Sequence, residues 1–257
     1  MLAYFLGNDL REVVEEHDEA ELRRWHPQGF MRRAAYGLCP NMYLELALIK
    51  LSAEQRASLA PQSEAELIAI VRRQSAMRGV DVAQAELAYR RLPADVRDAL
   101  ARGKLRQQQV IPACYDSRAL KRAIEPSDEY FNAAWPRTRQ HLNLLREAVE
   151  RDGGQFVLML IPDGSQVDRS AQDFAASLGY EVDRAWLTGT CRTREALLAW
   201  SRAAGVPCLD LTEPFRESKT SLYYPQDGHF NPVGHQRAAE ELGELLKWRP
   251  HRSDSRD

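Results

Sequence analysis

Phe156-Val157-Leu158-Met159-Leu160-Ile161, closed by Pro162-Asp163-Gly164, is the stretch on which the fold turns. Six consecutive apolar residues leave no polar face for water. In a strand, that pattern means burial on both sides, as in a parallel strand covered by helices. The Pro/Gly closure ends the run as a strand-to-helix loop does. Upstream, Leu142, Leu145 and Val149 recur at helical spacing, and Gly153-Gly154 stops that helix before the strand. Downstream, Phe174, Ala175 and Leu178 mark a short helix. Ala196, Leu197, Trp200, Ala203 and Ala204 then lead through Gly205 into a third apolar run, Val206-Pro207-Cys208-Leu209-Asp210-Leu211. At the other end of the chain Leu2-Ala3-Tyr4-Phe5-Leu6 is a run of the same kind, ended by Gly7-Asn8-Asp9. Apolar runs alternating with helices predict an α/β fold wound around a parallel sheet.

Residues from about 41 to 125 read differently. They show helical periodicity and no credible strand. Ser52-Ala53-Glu54-Gln55 and Ser63-Glu64-Ala65-Glu66 have the form of capping boxes, and Pro61 and Pro93 sit at breaks. The expectation is one domain over 1–250 with a helical insertion at about 41–125, serving as scaffold or as a cover over substrate. The charged end, 251–257, is expected to be a disordered tail.

Composition removes several function classes. The net charge of −2 provides no field for recruiting nucleic acid. No apolar run approaches the ~20 residues of a membrane-spanning helix. The four cysteines (Cys39, Cys114, Cys191, Cys208) form no CxxC pair, so a zinc site or a dense disulfide framework is not expected. No metal or cofactor is implied. As written, the N-terminus lacks a basic segment followed by an apolar core, which predicts a reduced, cytoplasmic setting unless an upstream segment carries an export signal.

The chemistry concentrates in Tyr223-Tyr224-Pro225-Gln226-Asp227-Gly228-His229-Phe230-Asn231-Pro232-Val233-Gly234-His235. Asn231 can cap the last helix with Pro232 in its first turn, and Val233, Ala239, Leu242 and Leu246 form its apolar stripe. Asp227 and His229 then sit in a loop ahead of a helix, at the strand-end face where open α/β sheets bind ligands. A carboxylate two residues from an imidazole can orient it and favour its protonated form, which is the base half of a hydrolytic triad. The same pair can also simply shape a turn. His235 is expected to bond locally. Asn8 can donate to a developing oxyanion, although Gly-Asn-Asp is also an ordinary turn. Ser165, in the loop after the second run, is the one alternative nucleophile, and no G-x-S-x-G elbow surrounds it.

Together, Tyr4 to Asp9, Phe156 to Val167, Cys208 to Leu211 and Asp227 to His235 resemble the SGNH/GDSL hydrolase superfamily over 1–12 and roughly 130–246. The resemblance implies a three-layer α/β/α parallel sheet of the flavodoxin-like kind. It also implies acyl-ester hydrolysis or acyl transfer on a small-molecule or glycan ester, with His229 as base, Asp227 as its orienter and Asn8 as oxyanion donor. The spacing is Asp-x-His rather than Asp-x-x-His, as in a branch that includes polysaccharide O-acetyltransferase-like proteins. No Gly-Asp-Ser occurs among the 257 residues, and the family's second-block glycine is missing as well. The expectation is therefore an N-terminally incomplete domain with negligible esterase activity. Leu2–Leu6 would then be an open edge that leaves the chain unstable alone or lets copies self-associate, unless a helix of the insertion covers it. The competing expectation is a non-catalytic carbohydrate- or protein-binding member of the fold.

Overall fold

The structure is a computed structural model that describes residues 2–6, 61–224 and 228–247. All three apolar runs form strands: β1 (Leu2–Phe5), β2 (Leu158–Ile161) and β3 (Cys208–Asp210). They pair in the order β1-β2-β3, every pair parallel, with Leu2 and Cys208 both in register with Leu158. The fold is α/β.

The described residues fall into two compact units, one of 61–119 with 177–181 and the other of 2–6, 120–176, 182–224 and 228–247. The first is helical, and no strand occurs among its described residues. Its helices are α1 (Glu64–Met77), α2 (Val82–Arg91), α3 (Ala94–Ala101) and α4 (Gln107–Tyr115). The capping box expected at Ser63 is present. The Glu66 amide donates to Ser63 Oγ at 3.3 Å, and the Ser63 amide donates to the Glu66 carboxylate at 2.7 Å. Leu67 and Val71 of α1, Ala85 and Tyr89 of α2, and Val110 and Ile111 of α4 form its buried interior. The box expected at Ser52 lies outside the described residues, as does the tail.

The second unit holds the sheet together with α5 (Ala119–Ile124), α6 (Asp128–Arg151), α7 (Arg169–Ser177), α8 (Arg192–Ala203), α9 (Thr212–Arg216) and α10 (Pro232–Lys247). Side chains of β2 alternate between two apolar clusters, as the period of two in a strand requires. Leu158 and Leu160 join Tyr4, Leu6, Leu142 of α6, and Leu197 and Trp200 of α8. Met159 and Ile161 join Leu209, Leu211, Phe215 of α9, and Ala238, Leu242 and Leu245 of α10. Leu158 and Leu160 are fully buried, each a contribution of about 1.5–3 kcal/mol. This two-sided burial is the reason the run at 156–161 contains no polar residue.

Two details of the sequence reading are corrected. Leu145 is exposed, so only Leu142 and Val149 of that trio pack on the core. In α10 the inward stripe is Ala238, Leu242 and Leu245, and Val233 and Leu246 are half-exposed. Both patterns obey helical spacing. Which one turned inward depends on the angle at which the helix leaves its cap.

Candidate active site

Because the three strands run parallel, their carboxyl ends share one rim, where such sheets collect ligands. At this rim the Leu6 amide donates to Ile161 C=O at 2.9 Å. Beyond β2, Asp163 caps a single 3₁₀ turn, Gly164–Gln166. Its carboxylate accepts the Ser165 amide at 2.8 Å, and Gln166 Oε1 accepts the Asp163 amide at 2.9 Å. Beyond β3, Asp210 Oδ1 accepts the Thr212 amide and Oδ2 accepts Arg194 Nε at 2.6 Å.

The side chain of Tyr223 ties the segment carrying the imidazole to this rim. Tyr223, buried, donates its hydroxyl to Pro162 C=O at 2.6 Å, next to the end of β2. Tyr223 also forms an antiparallel bridge with Phe230. Beside that bridge the Tyr224 amide donates to His229 C=O at 2.8 Å, and the Asn231 amide donates to Leu222 C=O at 3.0 Å. Residues 222–224 and 229–231 thus form a two-sided clip. Gly228, just ahead of the second side, has φ +70°, a conformation a β-carbon would strain. Asn231 caps α10 as expected: its Oδ1 accepts the Gly234 amide at 2.9 Å, and its Nδ2 donates to Ser221 C=O at 2.7 Å.

His229 is exposed on this clip. Its two expected partners, Asp227 and Asn8, lie outside the described residues. His235 presents its ring edge-on to Phe230 at 5.5 Å. Ser165 is buried, 4% exposed, with its hydroxyl on the Asp163 carboxyl, so it is not presented to a substrate. The described cysteines offer no nucleophile either. Burial pushes the thiols of Cys114 and Cys208 up to about 12 and about 11, and raises that of Cys191. No group of three His, Cys, Asp or Glu suited to a metal occurs among the described residues.

The clip rests on an aromatic triad. Phe215 of α9 meets Tyr223 at 5.9 Å and Phe230 at 5.1 Å, and Tyr223 meets Phe230 at 5.2 Å. Arg216, one residue on, anchors α9. Its guanidinium donates to Gln166, Trp186 and Gly189 C=O at 3.1, 2.7 and 2.7 Å, and to Glu213 at 2.9 Å. Burial holds the Tyr223 phenol far above its usual range, so it acts here only as a neutral donor. Burial likewise raises the Asp163 carboxyl, opposed by the bonds from Ser165. Sequence reading missed Tyr223 and Arg216 as fixing residues, because their partners are far away along the chain. The Asp163-x-x-Gln166 box carried a readable local signal.

The family model described as "SGNH hydrolase-like domain, acetyltransferase AlgX" matches residues 123–256, just over half of the chain. No curated protein and no solved structure matches.

Proposed function

The chain belongs to the SGNH hydrolase-like family of the acetyltransferase AlgX, and from that premise we propose that it serves acyl-ester hydrolysis or acyl transfer, with a small-molecule or glycan ester as substrate. A serine hydroxyl attacks the acyl carbon. His229 takes its proton and returns it to the leaving alcohol, Asp227 holds the imidazole, and Asn8 donates to the oxyanion. The observation that carries this reading is the clip: the exposed imidazole at 229 is tethered through Tyr223 to the exit of β2, and the chain leaves β1 at the same rim. The sheet is proposed as the middle of a three-layer α/β/α domain, a reading supported by the alternation of β2 side chains between two helix-bearing clusters. The helices of 61–119 are proposed as an insertion in that domain.

The 257 residues contain no Gly-Asp-Ser, so these residues by themselves are expected to turn over acyl esters negligibly. The same observation favours the second reading, a carbohydrate- or protein-binding member that kept the fold without the chemistry. The test compares ester cleavage and acyl transfer by the 257-residue chain with the product of the longest in-frame reading of its gene. Turnover by a longer, Gly-Asp-Ser-containing product that His229→Ala abolishes supports the enzyme. An inert product supports the binding reading. Turnover untouched by His229→Ala refutes the assignment of the base.

A further inference from the structure

The clip has two faces. Tyr223 and Phe230 lie opposite each other across it, and both turn inward onto Phe215. Consecutive residues of a strand point to opposite faces, and residues directly opposite in an antiparallel pair point to the same one. The next pair is Tyr224 and His229, joined by the 2.8 Å bond from the Tyr224 amide to His229 C=O, so its side chains take the outer face. Both residues are exposed. Residues opposite in this way hold their β-carbons about 4.5–5.5 Å apart. A phenol ring thus stands beside the imidazole that the proposed reaction uses.

That ring is unlike the other aromatic side chains. At 48% exposure, Tyr224 is the one aromatic among the exposed large apolar residues of the described chain. Tyr89 and Tyr223 are buried, Tyr115 lies under the Arg78 guanidinium at 4.8 Å, and Tyr180 donates its hydroxyl to Gln109 C=O at 3.1 Å. Among the described residues no ring, cation or hydrogen-bonding group engages the Tyr224 side chain. To return a proton to the leaving alcohol, His229 must come within about 2.6–3.2 Å of that oxygen. The acyl carbon on one side of the oxygen faces the attacking serine and the oxyanion donor. The carbon skeleton of the alcohol extends from the other side, within reach of the outer face of the clip. A flat ring with an electron-rich face suits a flat array of C–H groups, such as one face of a pyranose. It suits a flexible alkyl chain less well, because ordering the chain costs conformational freedom.

We propose that Tyr224 is a specificity-determining residue that reads the alcohol half of the ester, its ring stacking on the apolar face of a pyranose that carries the acyl group. The ester rests on the hydrolase reading; the stacking belongs to the clip whether or not the chain turns over esters. The experiment titrates the 257-residue protein with a methyl galactoside acetylated at its primary hydroxyl and with butyl acetate, one acyl group on a ring and on a chain, followed by NMR. Support is binding of the sugar ester at least fivefold tighter than butyl acetate, with saturation passing to its ring C–H protons. That binding should weaken at least fivefold in Tyr224→Ala and persist in Tyr224→Phe and Tyr224→Trp, which keep a flat ring. The side chain touches no described partner, and an unchanged melting temperature verifies that each variant is folded. Undiminished binding in Tyr224→Ala overturns the proposal, as do equal binding of the two esters, no response to either, or a loss in Tyr224→Phe as large as in Tyr224→Ala. In a longer, Gly-Asp-Ser-containing product, Tyr224→Ala is expected to raise KM for the sugar ester at least fivefold. An inert product that still binds the sugar ester through Tyr224 sinks the hydrolase reading and supports the platform, whereas turnover indifferent to Tyr224→Ala sinks the platform alone.

Discussion

Two glycines of α10 face opposite environments, and replacing each by alanine asks one question twice. A β-carbon at Gly234 would stand 2.1 Å from Leu222 C=O oxygen and 3.2 Å from Phe230 Cβ, whereas at Gly243 nothing lies within 4 Å. In a helix, alanine is favoured over glycine by about 1 kcal/mol, so Gly243→Ala should stabilise by up to about that amount. Gly234→Ala gains the same term but must open the gap between the first turn of α10 and the clip by roughly 1 Å. That overpacking costs about 1–3 kcal/mol. It also stretches the Asn231 amide bond to Leu222 C=O, 3.0 Å long and worth about 1 kcal/mol. The expected net cost is about 1–3 kcal/mol, so the same substitution in the same helix should move stability in opposite directions. Urea unfolding at constant slope reads both values, and amide exchange at Asn231 reports the clip directly. Shifts of the same sign in the two variants, or unchanged exchange at Asn231 in Gly234→Ala, would refute the reasoning.

Tyr223→Phe keeps the aromatic triad but leaves the buried Pro162 carbonyl without its donor, at a cost of about 1–3 kcal/mol. Its melting temperature should fall and amide exchange in 222–231 should quicken, and a variant indistinguishable from the parent would show that the clip does not depend on this bond. For Asp163 the sign follows from its raised carboxyl. The protonated form is the one the fold prefers, so its stabilisation is complete below the ordinary value of 3.8 and is lost as pH rises through the folded value. Asparagine keeps an acceptor for the Ser165 amide without the charge, so Asp163→Asn should melt above the parent near neutral pH, with the gap closing towards pH 3.8. Melting curves across pH check this, and a gap independent of pH would count against it.

Much of the fold was legible because it rests on local rules. The run at 156–161 lacks polar residues because β2 is buried on both faces, and that fact is written in consecutive positions. Gly153, at φ +76°, ends α6 where Gly153-Gly154 said it would. The Ser63 box and the Asn231 cap formed because each needs only residues three apart in sequence. The two misplaced helix stripes show the limit of this logic. In α10 the period was right, but the phase followed from the angle at which the helix leaves its cap, where Gly234 lies against Leu222, a contact across twelve residues that no periodicity encodes.

The candidate site divides in the same way. Sequence alone marked the Asp227–His235 motif, because a carboxylate near an imidazole ahead of a helix is a local pattern with a chemical reading. It also led to the family that the match over 123–256 identifies. What only tertiary structure decided is where that motif is fastened and what surrounds it. Tyr223 reaches Pro162, and Arg216 gathers the carbonyls of Gln166, Trp186 and Gly189. Each of these relations joins residues tens of positions apart. Their physical cause is the return of successive helices to one parallel sheet, which brings distant loops to a single rim.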